Sequence, residues 1–511
     1  MVLYLIGWIL ACEGTLLLLP AITALLYGET AVWSFLATTA LCLAVGIPLV
    51  IKKPRNRVFH LKEGFVTTAL GWILLSVMGA LPFLFTGAIS NPVDALFETV
   101  SGFTTTGASI LKDVEILPKS LLFWRSFTHW IGGMGVLVFL LSLLPLTGGS
   151  HVNLMKAESP GPQVEKLVPK VQSTAKILYG IYLGLTALEV ILLLAGGMSL
   201  FDALTTSFGT AGTGGFGIKN TSMAEYSIYL QVVVTVFMIL FGINFNFYFL
   251  LLMGKFRKAF FSEEVRCYIG IILITTVIIT FNIQGMYESL GHAFQQAAFQ
   301  VGSIITTTGF STTDFNLWPE VSKTILVMLM FVGACAGSTG GGIKVSRLVI
   351  LFKSVNKELH QILHPRSIRK INMDGKTVPH EVVRATNVFM VAYVLVFSLS
   401  VLLIGFDDHD LITNFTAVAA TLNNIGPGLE MVGPVQNFSL YSDGATCVLI
   451  FDMLAGRLEL FPLLLLSSPA GRITTMAIRM PKPWKSCKTA RLPCTAPTSR
   501  VPFWHKATVA Q

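Results

Sequence analysis

The sequence predicts an all-α integral membrane protein: four tandem helix–re-entrant pore helix–helix repeats around one pore, preceded by two extra membrane helices. Three observations carry this prediction. The 511 residues are 53% hydrophobic and only 12% charged, with a mean hydropathy of +0.70; soluble proteins carry roughly 25% charged residues. Apolar segments long enough to cross a bilayer recur along most of the chain. Between them lie four short runs rich in threonine and glycine: Phe103–Ser109, Thr210–Gly217, Thr306–Ser311 and Thr421–Gly428. Taking Gly107, Gly215, Gly309 and Gly426 as equivalents, the separations are 108, 94 and 117 residues. That is one supersecondary unit used four times. Phe97 and Phe299 each stand ten residues before their glycine, which extends the repeat upstream.

The runs point to chemistry. Unpaired backbone exposed to lipid costs several kcal/mol, so irregular chain at membrane depth lines a cavity or water. Threonine and glycine suit a stretch whose carbonyls and hydroxyls replace the water around a cation. A polar turn is the competing meaning of any single run; four with a common plan favour a filter. The candidate cation ligands are Thr105, Thr106 and Gly107; Thr213, Gly214 and Gly215; Thr307, Thr308 and Gly309; and Asn424, Ile425 and Gly426.

In chain order, residues 1–58 form two membrane helices, Leu3–Leu26 and Ala31–Ile51. The basic cluster from Lys52 to Arg57 marks the cytoplasmic side and so places the N-terminus there as well. Residues 59–150 form repeat 1: a span Gly64–Phe85, a re-entrant helix capped by Asn91 with Pro92 at its first position, and a span Leu121–Leu146. Gly132, Gly133 and Gly135 in that last span read as plain close packing. Residues 151–258 form repeat 2, with a polar link to Lys176, a span Ile177–Ala195, a cap at Ser199 and a span Ile228–Met253. Asp94 and Asp202 both stand thirteen residues before Gly107 and Gly215, which selects Gly215 among the glycines of the second run.

Residues 259–372 form repeat 3, with a span Tyr268–Ile283 and a re-entrant helix from about Tyr287. Its second span is broken by Gly333–Gly342, five of whose residues are glycine. A continuous helix there would lose about 1 kcal/mol per glycine relative to alanine, so the break faces the pore. Residues 373–468 form repeat 4, with a span Val383–Ile404, an acidic group Asp407, Asp408 and Asp410 at the outer mouth, and a span Cys447–Leu466 that carries Arg457 and Glu459. Residues 469–511 lack helical or strand periodicity and read as a basic, disordered cytoplasmic tail.

The formal net charge of +9 reflects basic cytoplasmic loops and membrane lipid as the surrounding, with no nucleic-acid partner. The seven cysteines have no metal-type spacing. Gly212, Gly214 and Gly217 match a dinucleotide fingerprint literally, but they lie between membrane spans instead of in a strand–helix unit. No enzyme and no organic cofactor are expected.

With these residues assembled, the chain resembles the TrkH branch of the Trk/Ktr/HKT potassium transporter superfamily. Thr104–Gly107, Thr421–Gly428, Gly337–Gly342 and Gly456–Glu459 carry the resemblance, which runs to about Ser468. It implies potassium uptake across the bacterial inner membrane, K+ as the transported ion, a homodimer, and a cytosolic TrkA-type nucleotide-binding subunit. It also implies that Gly337, Ser338, Thr339, Gly340, Gly341 and Gly342 form an intramembrane gating loop, with Arg457 as its basic partner. The alternative is a secondary transporter of another small cation, sodium-permeable or coupled to protons or sodium. The tail beyond Pro469 departs from the family pattern.

Overall fold

A bilayer forces each segment of this chain to satisfy its own backbone, and the result is almost wholly helical. The computed structural model describes residues 1–52, 61–135, 171–367 and 369–467. The basic residues 53–57, most of the link 148–176 and the tail 469–511 lie outside the described residues.

The N-terminal pair is a helical hairpin. Val2–Leu16 and Leu18–Tyr27 make one span, and Val32–Ile51 returns beside it. The seam is built on small residues: a Cβ at Gly7 would lie 2.7 Å from the Cβ of Leu49, and one at Gly46 would lie 2.9 Å from the carbonyl oxygen of Gly7. Just past the left-handed cap at Gly28, the Glu29 carboxylate accepts from the amides of Lys119 (2.7 Å) and Ser120 (3.1 Å) and from the Ser120 hydroxyl (2.5 Å). Those amides open the inner helix of repeat 1, whose first donors have no partner within the helix. The hairpin is therefore bolted to the first repeat.

Each repeat contains an outer helix, a short pore helix and an inner helix. The pore helices are Pro92–Phe103, Leu200–Gly212, Leu290–Ile305 and Leu411–Leu422. Asn91, Ser199, Ser289 and Asp410 cap them, each side chain accepting from a first-turn amide. The outer helices are Leu61–Thr86, Val171–Ala195, Glu263–Ile283 and His380–Ile404. The inner helices begin at Lys119, Ile228, Glu320 and Asp443. Every pore helix packs against the inner helix of the preceding repeat, and the first packs against the inner helix of the fourth. The ring thus closes within one chain. The outer helices turn leucine, valine and isoleucine outward; Val391, Leu395 and Leu402 are examples. Among the described residues six helices are long and apolar enough to span a membrane, and the pair Ile228–Phe241 and Phe245–Leu252 passes the same test only when its two bent halves are taken together.

The structure corrects several boundaries. The outer helices of repeats 2, 3 and 4 begin at Val171, Glu263 and His380, earlier than the apolar pattern, because their first turns lie where polar residues are tolerated. The third pore helix begins at Leu290, after the Ser289 cap, rather than at Tyr287. The span expected over Ile228–Met253 bends by 90° between Phe241 and Phe245. There the Gly242 carbonyl accepts from the Cys335 amide at 3.0 Å, and the Phe245 amide donates to the Gly337 carbonyl at 3.0 Å. The glycine-rich break of repeat 3 occupies the space and replaces the helix's own bonds. The last span is also broken. Its helix stops at Arg457, Glu459 and Leu460 take left-handed φ of +53° and +67°, and a second helix runs over Phe461–Ser467. Two of the three acidic residues expected at the outer mouth, Asp407 and Asp410, also serve as caps. Asp407 accepts from the amide and hydroxyl of Ser442, and Asp410 accepts from the amide and hydroxyl of Thr413. Those bonds hold the Asp410 carboxyl below the usual carboxylate range, the Thr413 hydroxyl contributing most.

Candidate functional site

The four candidate filter segments share one backbone conformation. Thr105, Thr213, Thr307 and Asn424 have left-handed φ of +57°, +54°, +59° and +56°. Two residues later Gly107, Gly215, Gly309 and Gly426 have φ of +80°, +76°, +88° and +101°. The amides of Thr105, Thr213, Thr307 and Asn424 donate to the carbonyls of Gly102, Thr210, Ile304 and Thr421 at 3.0–3.2 Å. The next amides, of Thr106, Gly214, Thr308 and Ile425, donate to the carbonyls of Ser101, Gly209, Ser303 and Ala420 at 2.8–2.9 Å. This paired closure is the Schellman ending of a helix, which normally places glycine at the left-handed position. Here threonine stands there three times, a conformation that costs a β-branched residue about 1–3 kcal/mol and that clusters at functional sites.

The segments abut in a closed ring. A Cβ at Gly107 would lie 2.0 Å from the carbonyl oxygen of Gly214; at Gly215, 2.0 Å from that of Thr308; at Gly309, 2.1 Å from that of Ile425; and at Gly426, 2.8 Å from that of Thr106. Backbone therefore meets backbone at all four junctions, which only glycine allows. The same contacts fix Gly215 as the second repeat's equivalent. Among the described residues no hydrogen bond ends on the carbonyls of these twelve residues.

One buried ion pair braces the ring above repeats 1 and 2. Arg125 and Glu98 meet at 2.7 Å with side chains 2% and 0% exposed. Glu98 also accepts from the Ser109 hydroxyl and the Ile110 amide, just past the first segment. Arg125 donates to the Gly217 carbonyl at 3.1 Å, just past the second, and lies 4.1 Å over the Phe216 ring. His129 adds a second tie: its Nδ1 pairs with the Gly102 carbonyl at 2.7 Å, and its Nε2 accepts from the Phe216 amide at 3.2 Å. Sequence reading missed all three side chains, because each sits inside an unremarkable apolar helix.

Gly337–Gly342 lies across the underside of the ring. Its base is closed by the Gly333 amide on the Ile343 carbonyl (2.8 Å) and the Val345 amide on the Ala334 carbonyl (3.3 Å). Glu264, from the outer helix of repeat 3, clasps that base by accepting from the amides of Ala336 (2.7 Å) and Ser346 (3.2 Å). The tip touches repeats 2 and 4 and the third segment. The Thr339 hydroxyl donates to the Phe241 carbonyl of repeat 2 at 3.3 Å. The Gly341 amide donates to the Thr307 hydroxyl at 2.6 Å, and a Cβ at Gly341 would lie 2.7 Å from the Asn423 carbonyl oxygen of repeat 4. Arg457 donates to the Thr339 carbonyl (2.9 Å), the Thr105 hydroxyl (3.2 Å) and the carbonyls of Gly132 and Gly133, the latter at 2.9 Å. Gly132 and Gly133 thus do more than pack: their carbonyls at the helix end receive a guanidinium. Glu459, beyond the helix end, pairs with Arg347 instead of Arg457.

A multi-pass membrane protein with four re-entrant helices converging on one axis is the class that this fold and ring define. A family described as a cation transport protein, TrkH, matches residues 33–475. The Trk system potassium uptake protein TrkH of Salmonella typhimurium is 38% identical over 464 residues, covering 89% of this chain and 95% of the relative. That of Vibrio parahaemolyticus is 38% identical over 480 residues, covering 92% and 98%. A crystal structure of the potassium transporter TrkH from Vibrio parahaemolyticus superimposes with a TM-score of 0.82 at 36% identity, covering 92% of this chain and 98% of that one. This chain belongs to the TrkH family.

The Arg125–Glu98 pair yields a stability prediction. Arg125→Met strands a buried carboxylate and should cost about 3–5 kcal/mol. Glu98→Leu combined with Arg125→Met should recover only part of that, because the Ile110 amide stays unpaired. Denaturation midpoints of the purified variants in detergent measure both.

Proposed function

We propose that this chain takes up potassium across the bacterial cytoplasmic (inner) membrane, with the twelve residues of the four segments as its selectivity filter. The observation that carries the reading is the fourfold closure just described. The helix ends consume the first two amides of each segment, and the alternating sign of φ lets successive carbonyls face the same side. A ring of uncommitted carbonyls replaces the hydration shell of a monovalent cation. The pore helices' C-terminal ends point their partial negative charge at the same place. Potassium is chosen as the ion because relatives bear the name Trk system potassium uptake protein.

In this reading Gly337–Gly342 is the gate. It touches repeats 2, 3 and 4 directly and repeat 1 through Arg457, and its glycines allow it to move without side-chain bulk. Arg457 holds it shut by bonding the Thr339 carbonyl, and its charge repels cations in the path. The N-terminus and the tail are cytoplasmic, two copies associate as a dimer, and a cytosolic TrkA-type nucleotide-binding subunit controls the gate.

Three outcomes test this reading. A bacterium deficient in potassium uptake should grow at low potassium when it expresses this chain with a TrkA-type subunit, and more weakly without that subunit. No growth despite well-inserted protein would refute potassium uptake. Gly107→Ser brings a side chain against the Gly214 carbonyl and should relax discrimination against sodium; paired potassium and sodium fluxes in vesicles measure it, and an unchanged ratio removes Gly107 from the filter. Arg457→Ala, or shortening of Gly337–Gly342, should raise ion flux without any subunit. Wild-type flux in both variants would make the loop a packing break.

A further inference from the structure

The gating reading leaves one charge without a role. Lys344 is the residue between the loop and the resumed helix Val345–Leu363, and its extended backbone (φ −61°, ψ 140°) makes it the cap of that helix. Lysines in membrane chains normally snorkel toward water. This one turns back into the loop and is 9% exposed. Its ammonium donates to the carbonyls of Gly340 and Gly341, the latter at 3.1 Å. The charged groups around it are Glu459, Glu264, Arg457 and Arg347. Both carboxylates are engaged elsewhere, Glu459 with Arg347 and Glu264 with the amides of Ala336 and Ser346. The ammonium is thus held by loop carbonyls, as a bare monovalent cation would be.

The position of those carbonyls gives the contact a consequence. Gly341 is bonded to the Thr307 hydroxyl and lies against Asn423 and Asn424, so the ammonium's acceptors sit directly under the third and fourth segments. The Asn424 side-chain oxygen, buried and without a hydrogen-bond partner, faces the same glycine. The loop carbonyls that hold the ammonium thus belong to a segment flanked by oxygen atoms of repeats 3 and 4.

We propose that Lys344 is a tethered surrogate for the transported ion: in the closed loop its ammonium occupies a monovalent-cation site formed by the Gly340 and Gly341 carbonyls, locking the loop and excluding a permeating ion. This rests on the reading of the loop as a gate. Opening then requires the lysine to release both carbonyls, and the loop carries its own counter-charge out of the path. Removing the charge removes the lock and frees the site for an ion.

Purified chain in vesicles, without any partner subunit, tests this by uptake of radioactive rubidium. Lys344→Met and Lys344→Gln should each raise basal uptake by at least about tenfold, in keeping with the loss of the two charge-assisted hydrogen bonds from the closed state. Lys344→Arg, which keeps the charge, should stay near the wild-type rate. Crystals of Lys344→Met soaked in rubidium should hold an ion on the Gly340 and Gly341 carbonyls, where wild-type crystals hold none. If both neutral variants insert and transport at the wild-type rate while Arg457→Ala is faster, Lys344 is not a lock and the gate reading survives. If Arg457→Ala and loop shortening also leave uptake unchanged, the gate reading falls and this proposal with it.

Discussion

Each of the four segments hangs from its pore helix by two backbone hydrogen bonds, and the rest of the molecule serves to keep those eight bonds in register. They fasten the amide side of the chain and leave the carbonyl side to line a ring. The ring closes only because glycine stands where neighbouring segments touch. Pore helices at the right angle require an inner helix behind each, which the cyclic packing of one repeat on the next provides. Outer helices then seal the assembly from lipid. A bilayer offers no water to rescue an unsatisfied group, so the arrangement tolerates little slack.

Much of this was legible in the sequence because it is local. Asn91 before Pro92, Ser199 before Asp202, and the threonine–glycine runs are short-range signals, and all fall at element ends in the structure. The break at Gly333–Gly342 was legible for the same reason. What was not legible depends on distant partners. The bend after Phe241 leaves little mark in an apolar stretch, because its cause is the Cys335 amide and the Gly337 carbonyl arriving from another repeat. Glu264 and Lys344 look like ordinary helix-end charges until the loop folds between them. The pairing of Arg125 with Glu98 joins residues on different helices and has no periodicity to betray it.

The four quarters agree in backbone and differ in side chains. Nine residues before each ring glycine stand Glu98, Thr206, Gln300 and Ala417, and only the first carries a charge. Asparagine replaces threonine at position 424, where the left-handed backbone suits it better, and its amide donates to the Thr106 hydroxyl and the Met453 carbonyl at 2.9 Å. The loop and its basic partners likewise belong to repeats 3 and 4 alone. A ring of nearly equivalent carbonyls is thus set in an environment of unequal charge, with the obstruction supplied from one side.

The bolt between Glu29 and the start of the first inner helix has a consequence for how the chain is made. Residues 2–51 leave the ribosome before residue 119, so the Glu29 carboxylate is made ahead of the donors it accepts from. When Lys119 and Ser120 emerge, the donors that would otherwise seek water find an acceptor in place. The first repeat is thereby oriented on a scaffold laid down ahead of it, and each later repeat is built against the inner helix of its predecessor. In chain order the fourth inner helix comes last, and its contact with the first pore helix is the one that closes the circle.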